Sequence, residues 1–216
     1  MKFHLSHLPE VQAAIAAAAA CGTLDELADA IHSFDAHPVC TSPAMPGRAG
    51  ARMTDARPVM ILGKSPAGTE TETRVPFSGP AGKVLRSEME AAGFDLETCW
   101  ITCATPWKAR KDNTPNATQL AVSRPFLFRE IELVNPSVIV ALGQKAHEAL
   151  FQVSENLGDK PGRTFELEVA GTSYPVAVTT CHAAVMYCPQ DLSVPFRRHL
   201  GAAFALARPA ELETAA

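Results

Sequence analysis

The sequence predicts an α/β fold: a three-layer α/β/α sandwich around a four-stranded, mostly parallel sheet. Two observations carry this expectation. Four short apolar, β-rich runs recur along the chain, at Val59–Leu62, Cys99–Cys103, Val138–Leu142 and Tyr174–Thr179, each of strand rather than helix length. Between them lie longer stretches with helical spacing of apolar residues, and strands that alternate with helices build a parallel sheet covered on both faces. The chain has 216 residues, 47% of them hydrophobic, so a single domain over 1–216 with a sizeable core is expected.

Each element follows from local signals. Residues 8–21 and 23–34 read as two helices, with Thr23 capping the second and Glu26 closing a capping box. Residues 35–57 hold Pro38, Pro43, Pro46, Gly47 and Gly50 with few apolar residues, a long loop. The run Val59–Leu62 stops at Gly63, and a polar loop with Pro66, Gly68, Pro76, Gly79 and Pro80 follows. A helix is expected over 78–92, closed by Gly93. The strand Cys99–Cys103 leads into ATPWKARKDNTPNA, a loop with the basic cluster Lys108, Arg110 and Lys111. A helix from about Asn116 to Val134 ends at Asn135-Pro136, and Val138–Leu142 turns at Gly143 into a helix over 144–151. Phe165–Val169 and Tyr174–Thr179, joined at Gly171, form a hairpin whose second arm is the fourth core strand. That arm runs into Cys181–Ala184, a last helix spans roughly 190–207, and the tail after Pro209 is expected to fray.

Charge and cysteines narrow the class. The net charge of −4 gives no global positive field, so any nucleic-acid contact rests on a local basic patch. The six cysteines form no CxxC pair, and three sit in or beside expected core strands, which points to reduced thiols. Ala13–Ala20 before Cys21 faintly resembles a lipoprotein signal, but Pro9 and Glu10 interrupt the segment before it and alanine makes a poor apolar core. A surface helix and a cytoplasmic, membrane-free protein are expected.

In an open α/β sheet, ligands bind outside the carboxyl ends of the strands. That edge gathers Lys64, Ser65 and Phe77 after the first strand, and Cys103 with the Lys108–Asn113 segment after the second. It gathers Gly143 and Gln144 after the third and His182 after the fourth. Each has a bland reading: a loop aromatic packed locally, a solvated lysine, a hydrogen-bonded histidine, a thiol acting as a small hydrophobe. Their convergence on one edge is what favours a ligand site.

Four collinear blocks carry a resemblance. Gly63-Lys64-Ser65-Pro66-Ala67 and Val75–Gly82, Trp100–Cys103 running through Asn113-Thr114-Pro115, the helix RPFLFREIELVNPSVIVALGQKA, and His182–Cys188 together resemble the uracil-DNA glycosylase superfamily, nearest its family 4 branch. The similarity covers roughly Leu24 to the end. It implies a partner, DNA, and a base flipped from the duplex into a pocket. Phe77 would stack on the base, with Ser65, Pro66, Ala67 and Cys103 around it and loop amides of Lys64–Gly68 positioning water. His182 would stabilise the charge that accumulates on the departing base. Ala183, Met186 and Tyr187 would press an apolar wedge into the duplex. Ser65, Ser78, Lys108, Arg110 and Lys111 would contact phosphates.

Departures from the pattern shape the functional expectation. Trp107 and Ser123 stand where family 4 members carry cluster cysteines, and the N-terminal pair is not present as a CxxC-like unit. Four thiolates are needed for such a cluster, so no metal and no cofactor are expected. Lys64 replaces a carboxylate associated with activating water, Cys103 an asparagine that reads the base edge, Ala183 a proline and Cys188 an arginine. The expectation is a monomeric DNA glycosylase with altered base preference, with Lys64 and His182 as its chemical residues. Two alternatives stand beside it: a glycosylase/lyase in which Lys64 attacks C1′, and a non-catalytic reader of abasic or modified DNA. A small-molecule nucleotide enzyme is disfavoured, because no GxGxxG or GxxxxGK[ST] loop follows a strand.

Overall fold

The computed structural model describes residues 5–35, 43–109, 114–153 and 157–207. Its centre is a sheet whose strands run β1 (Arg48–Ala49), β3 (Trp100–Cys103), β2 (Val59–Gly63), β4 (Val138–Leu142), β6 (Thr172–Thr179) and β5 (Thr164–Val169) from edge to edge. The four expected strands form the middle and pair in parallel, β3 to β2 to β4 to β6. The expected total of four is corrected to six among the described residues, because an antiparallel strand flanks each side. β1 is two residues long and lies inside the expected loop, too short to leave an apolar signature. β5 is the first arm of the expected hairpin; its alternating exposure marks a strand with one wet face, unlike the continuous apolar runs of the doubly covered strands.

Alternation along each central strand divides the core. Met60, Leu62, Ile139, Ala141, Val176 and Val178 face Leu120, Leu127 and Ile131 of α5 (Ala117–Val134) and Ala146, Ala149 and Leu150 of α6 (Gln144–Phe151). Val59, Ile61, Ile101, Val138 and Val140 face Leu85 and Met89 of α4 (Pro80–Ala91) and Phe196, Leu200 and Ala203 of α8 (Pro189–Ala207). The period of two makes both faces apolar without any helix-spaced pattern in the strands. The first two helices, α1 (Pro9–Ala19) and α2 (Leu24–Ser33), add a further layer on α5, burying Val11, Ala14, Leu27 and Ile31 against Trp107, Val122 and Phe126. The expected capping box is present: the Glu26 amide donates to Thr23 Oγ1 and Glu26 accepts from the Thr23 amide. No described helix is long and apolar enough to cross a membrane.

Two helices arise where the sequence suggested loop. α3 (Gly68–Thr73) is a single short helix between β2 and the Phe77 turn, and α7 (His182–Tyr187) precedes α8 directly. Both are too short for apolar periodicity to show.

One buried acid ties the second strand to its covering helix. Glu130 on α5 is 5% exposed; it accepts hydrogen bonds from Trp100 Nε1 (2.7 Å) and Thr102 Oγ1 (2.9 Å). Gly47 presses so close that a Cβ there would fall 1.6 Å from the carboxyl oxygen. Burial raises the Glu130 pKa from 4.5 to about 7, against the pull of both hydrogen bonds. The folded state therefore binds the extra proton between these values, and this group's contribution to stability falls as pH rises from about 4.5 through 7. Glu130→Gln should remove that slope. Urea titrations at pH 5 and pH 8 should show the wild type losing ground to the variant by up to about 3 kcal/mol across the interval.

Candidate active site

The parallel register sets the site. Gly63 at the end of β2 pairs with Cys103 at the end of β3, and Leu142 at the end of β4 pairs with Thr179 of β6. The Ala104 amide donates to Gly63 O at 2.9 Å, and the Gly143 amide to Thr179 O at 3.1 Å, closing the strand ends together. Gly143 has φ of 88°, and a Cβ there would lie 2.7 Å from Cys181 Cβ. The turn into α6 thus needs glycine both for its conformation and for the close approach of the segment that carries His182.

Phe77 is held by glycines. Its own φ is 53°, uncommon for an aromatic residue. The ring lies over Gly63, where a Cβ would come within 2.7 Å of Phe77 Cζ and 3.3 Å of Cys103 Sγ. Its backbone rests on Gly82 in the first turn of α4, where a Cβ would fall 2.0 Å from the Phe77 carbonyl oxygen. Phe77 is 7% exposed, so the ring is part of the core as well as of the site edge.

His182 opens α7 and meets Phe77 edge to face, with ring centroids 5.3 Å apart and planes at 77°. It is buried, and among the described residues its Nδ1 has no hydrogen-bond partner. Burial, then the positive charge of Lys64, lowers its pKa to about 4. At neutral pH the imidazole is uncharged, with one N–H to donate. Lys64 is half-buried and near enough for its charge to act on the ring.

Cys103 is partly exposed beside Gly63 and Phe77. Desolvation, followed by the charges of Glu70 and Glu130, pushes its thiol up to about 12. It stays protonated, a weak hydrogen-bonding group and no nucleophile.

The remaining expected residues divide. Ser65 and Ala67 are partly exposed and Pro66 is buried. The Ala67 amide, in the loop expected to position water, donates to Glu70 Oε2 at 3.1 Å. Lys108 reaches over α3, its Nζ 3.8 Å from where a Cβ on Gly68 would be. Ser78 Oγ pairs with Thr73 Oγ1 at 2.7 Å. Ala183 and Met186 are partly exposed, and Tyr187 is 76% exposed on α7. Gln144 is exposed beyond Gly143. Arg110 and Lys111 lie outside the described residues.

Sequence reasoning passed over Glu70, whose carboxylate accepts from both Ala67 and Gly79 amides. The available signal was a glutamate three residues after a helix start, masked because Ala67 offers no side-chain cap.

The positions that resemble cluster ligands do not fit an iron–sulfur group. Trp107 is packed against Phe34 and Phe126, and Ser123 Oγ donates to Gln119 O at 2.7 Å. Cys21 lies in the same apolar cluster, and one thiol among these side chains does not supply four ligands. Among the described residues no group of three or more His, Cys, Asp or Glu is placed to hold a metal.

The family model described as the Uracil DNA glycosylase superfamily matches residues 52–208. The chain belongs to that superfamily. It is similar to a Type-4 uracil-DNA glycosylase of Pyrobaculum aerophilum, 30% identical over 135 residues, 61% of this chain and 69% of the relative. It is 28% identical over 151 residues to one from Saccharolobus solfataricus, 68% of each chain, and 27% identical over 136 residues to one from Archaeoglobus fulgidus. Within the superfamily match lie every described strand but β1 and both covering layers, and with them the strand ends that gather Phe77, Cys103 and His182.

The glycines make a direct prediction. Gly82→Ala should destabilise the protein by about 1–3 kcal/mol, because backbone rather than a flexible side chain must move. Gly201→Ala in α8, where a Cβ meets nothing within 4 Å, should stabilise it by about 0.5–1 kcal/mol. Denaturant midpoints of the two variants should therefore move in opposite directions.

Proposed function

We propose that this chain is a DNA glycosylase that receives an extrahelical base beside Phe77 and His182 and hydrolyses its N-glycosidic bond, with a base preference altered from that of uracil enzymes. Membership of the superfamily makes it a hydrolase acting on N-glycosyl bonds in DNA. The observation that carries the pocket is the buried, uncharged His182 with an unpartnered Nδ1 against the Phe77 ring.

The chemistry follows from those groups. As the C1′–N bond breaks, its electron pair passes to the base and onto a carbonyl oxygen. In the tautomer with the proton on Nδ1, His182 donates to that oxygen, satisfying an atom otherwise left bare. The Lys64 ammonium beside it offsets the same negative charge. Water then adds to C1′ and gives up a proton to solvent. The weight of catalysis thus shifts from water activation to stabilising the leaving base.

Cys103 supports the altered preference. A protonated thiol offers only weak hydrogen bonds where an amide would read the base edge. Loss of that contact costs about 1–3 kcal/mol for uracil and less for a base with a less polar edge. Exposed Tyr187, with Met186 and Ala183, forms the wedge, while Ser65, Ser78, Lys108, Arg110 and Lys111 meet the phosphates.

Kinetics on uracil-containing oligonucleotides test this reading. Cys103→Asn should raise kcat/KM on uracil roughly tenfold, and His182→Ala should lower base release roughly 100- to 1000-fold. Uracil excision unchanged by Cys103→Asn would remove that residue from base selection. The position of Lys64 beside His182 favours one second reading, a lyase step through a Schiff base at C1′. Borohydride should then trap a protein–DNA adduct in the wild type that is lost in Lys64→Ala; an adduct persisting in the variant refutes it. Tight binding without release of any base would instead assign a reader of modified DNA.

A further inference from the structure

Two separate segments, the Lys64–Ala67 loop and the Phe77–Gly79 turn, are bridged by one side chain. Glu70 on α3 is 9% exposed. Its Oε2 accepts from the Ala67 amide at 3.1 Å and its Oε1 from the Gly79 amide at 2.8 Å. The second bond is fully buried and admits no larger residue: a Cβ on Gly79 would lie 2.8 Å from the same oxygen. Two residues before Gly79 is Phe77, in its left-handed backbone conformation. The turn between is pinned again by Thr73, whose hydroxyl accepts from the Val75 amide at 3.3 Å and pairs with Ser78.

The geometry points to Glu70 as a positioning residue that holds the Phe77 ring and the Lys64–Ala67 loop in register with each other. The inference rests on the reading of Phe77 as a wall of the base pocket. Three features carry it. A carboxylate can accept from two separate backbone N–H groups, one per oxygen, whereas a glutamine cannot, because its amide nitrogen would face one of them. Both bonds lead to residues flanking the site rather than to the distant core. The unfavourable φ of Phe77 needs an outside restraint, and the buried Gly79 bond lies two residues from it in the chain. Glu70 is also close enough for its charge to act on Cys103, so the carboxylate borders the pocket that it braces.

The test compares wild type, Glu70→Gln, Phe77→Ala and the double variant, with Glu72→Gln as an exposed neighbour. The first readout is free of DNA. In Glu70→Gln the imidazole carbon–proton NMR signal of His182 should shift by more than its linewidth, since the Phe77 ring lies 5.3 Å away; in Glu72→Gln it should stay. The second is affinity for a duplex carrying uncleavable 2′-fluoro-2′-deoxyuridine against an undamaged duplex of the same sequence. Glu70→Gln should lose roughly fivefold on the fluorinated duplex and nothing on the undamaged one. The double variant should bind no more weakly than Phe77→Ala alone, because the glutamate acts through the ring. A His182 signal unmoved in Glu70→Gln overturns the proposal, as does an effect that adds fully to Phe77→Ala. Wild type that binds both duplexes equally would mean that uracil does not enter the pocket, leaving the NMR result to decide the role of Glu70.

Discussion

The close approach of the Phe77 ring to the end of β2 is the contact on which the site depends. It requires that Gly63 lack a side chain, that Gly82 lack one beneath the Phe77 backbone, and that the turn hold a left-handed aromatic residue. Each is a small cost to local stability. The surrounding core repays them: the strand itself is completely buried and packed on both faces. A ring fixed this way is preorganised, and an aromatic face that does not have to be ordered when a base arrives offers stacking without further entropy loss.

The electrostatics of the pocket follow from where that ring puts its neighbours. His182 is pressed against it, out of water and near Lys64, so the imidazole remains neutral over the whole physiological range. Cys103 is pushed the other way and keeps its proton. The strand ends thus set one uncharged imidazole, one lysine and one weakly polar thiol near one another. Such a set suits a leaving group that gains negative charge and suits poorly a mechanism that begins by ionising water.

Much of this was legible in the sequence. The four central strands announced themselves as continuous apolar runs because both of their faces are buried. Thr23 with Glu26, and Gly63 and Gly143 at the ends of two central strands, marked boundaries through known backbone chemistry. That Lys64, Phe77, Cys103 and His182 would lie near one another was legible because a parallel sheet brings its carboxyl ends to one edge. What stayed hidden depends on contacts distant in sequence or on elements too short for a period. β1 is two residues, α3 six. Nothing in the sequence singled out Glu70 or Glu130; only the fold shows one bracing two loops and the other buried against Trp100 and Thr102.

The central claim is that this pocket releases a base other than the one its relatives are named for, by stabilising the departing base through His182. Mass-spectrometric detection of free bases tests it most directly, using a panel of duplexes that carry deaminated or otherwise modified pyrimidines and excess enzyme. The account predicts release of a modified base faster than uracil, none from unmodified DNA, and loss of release in His182→Ala. Uracil released fastest of the panel, or release indifferent to His182→Ala, would contradict it.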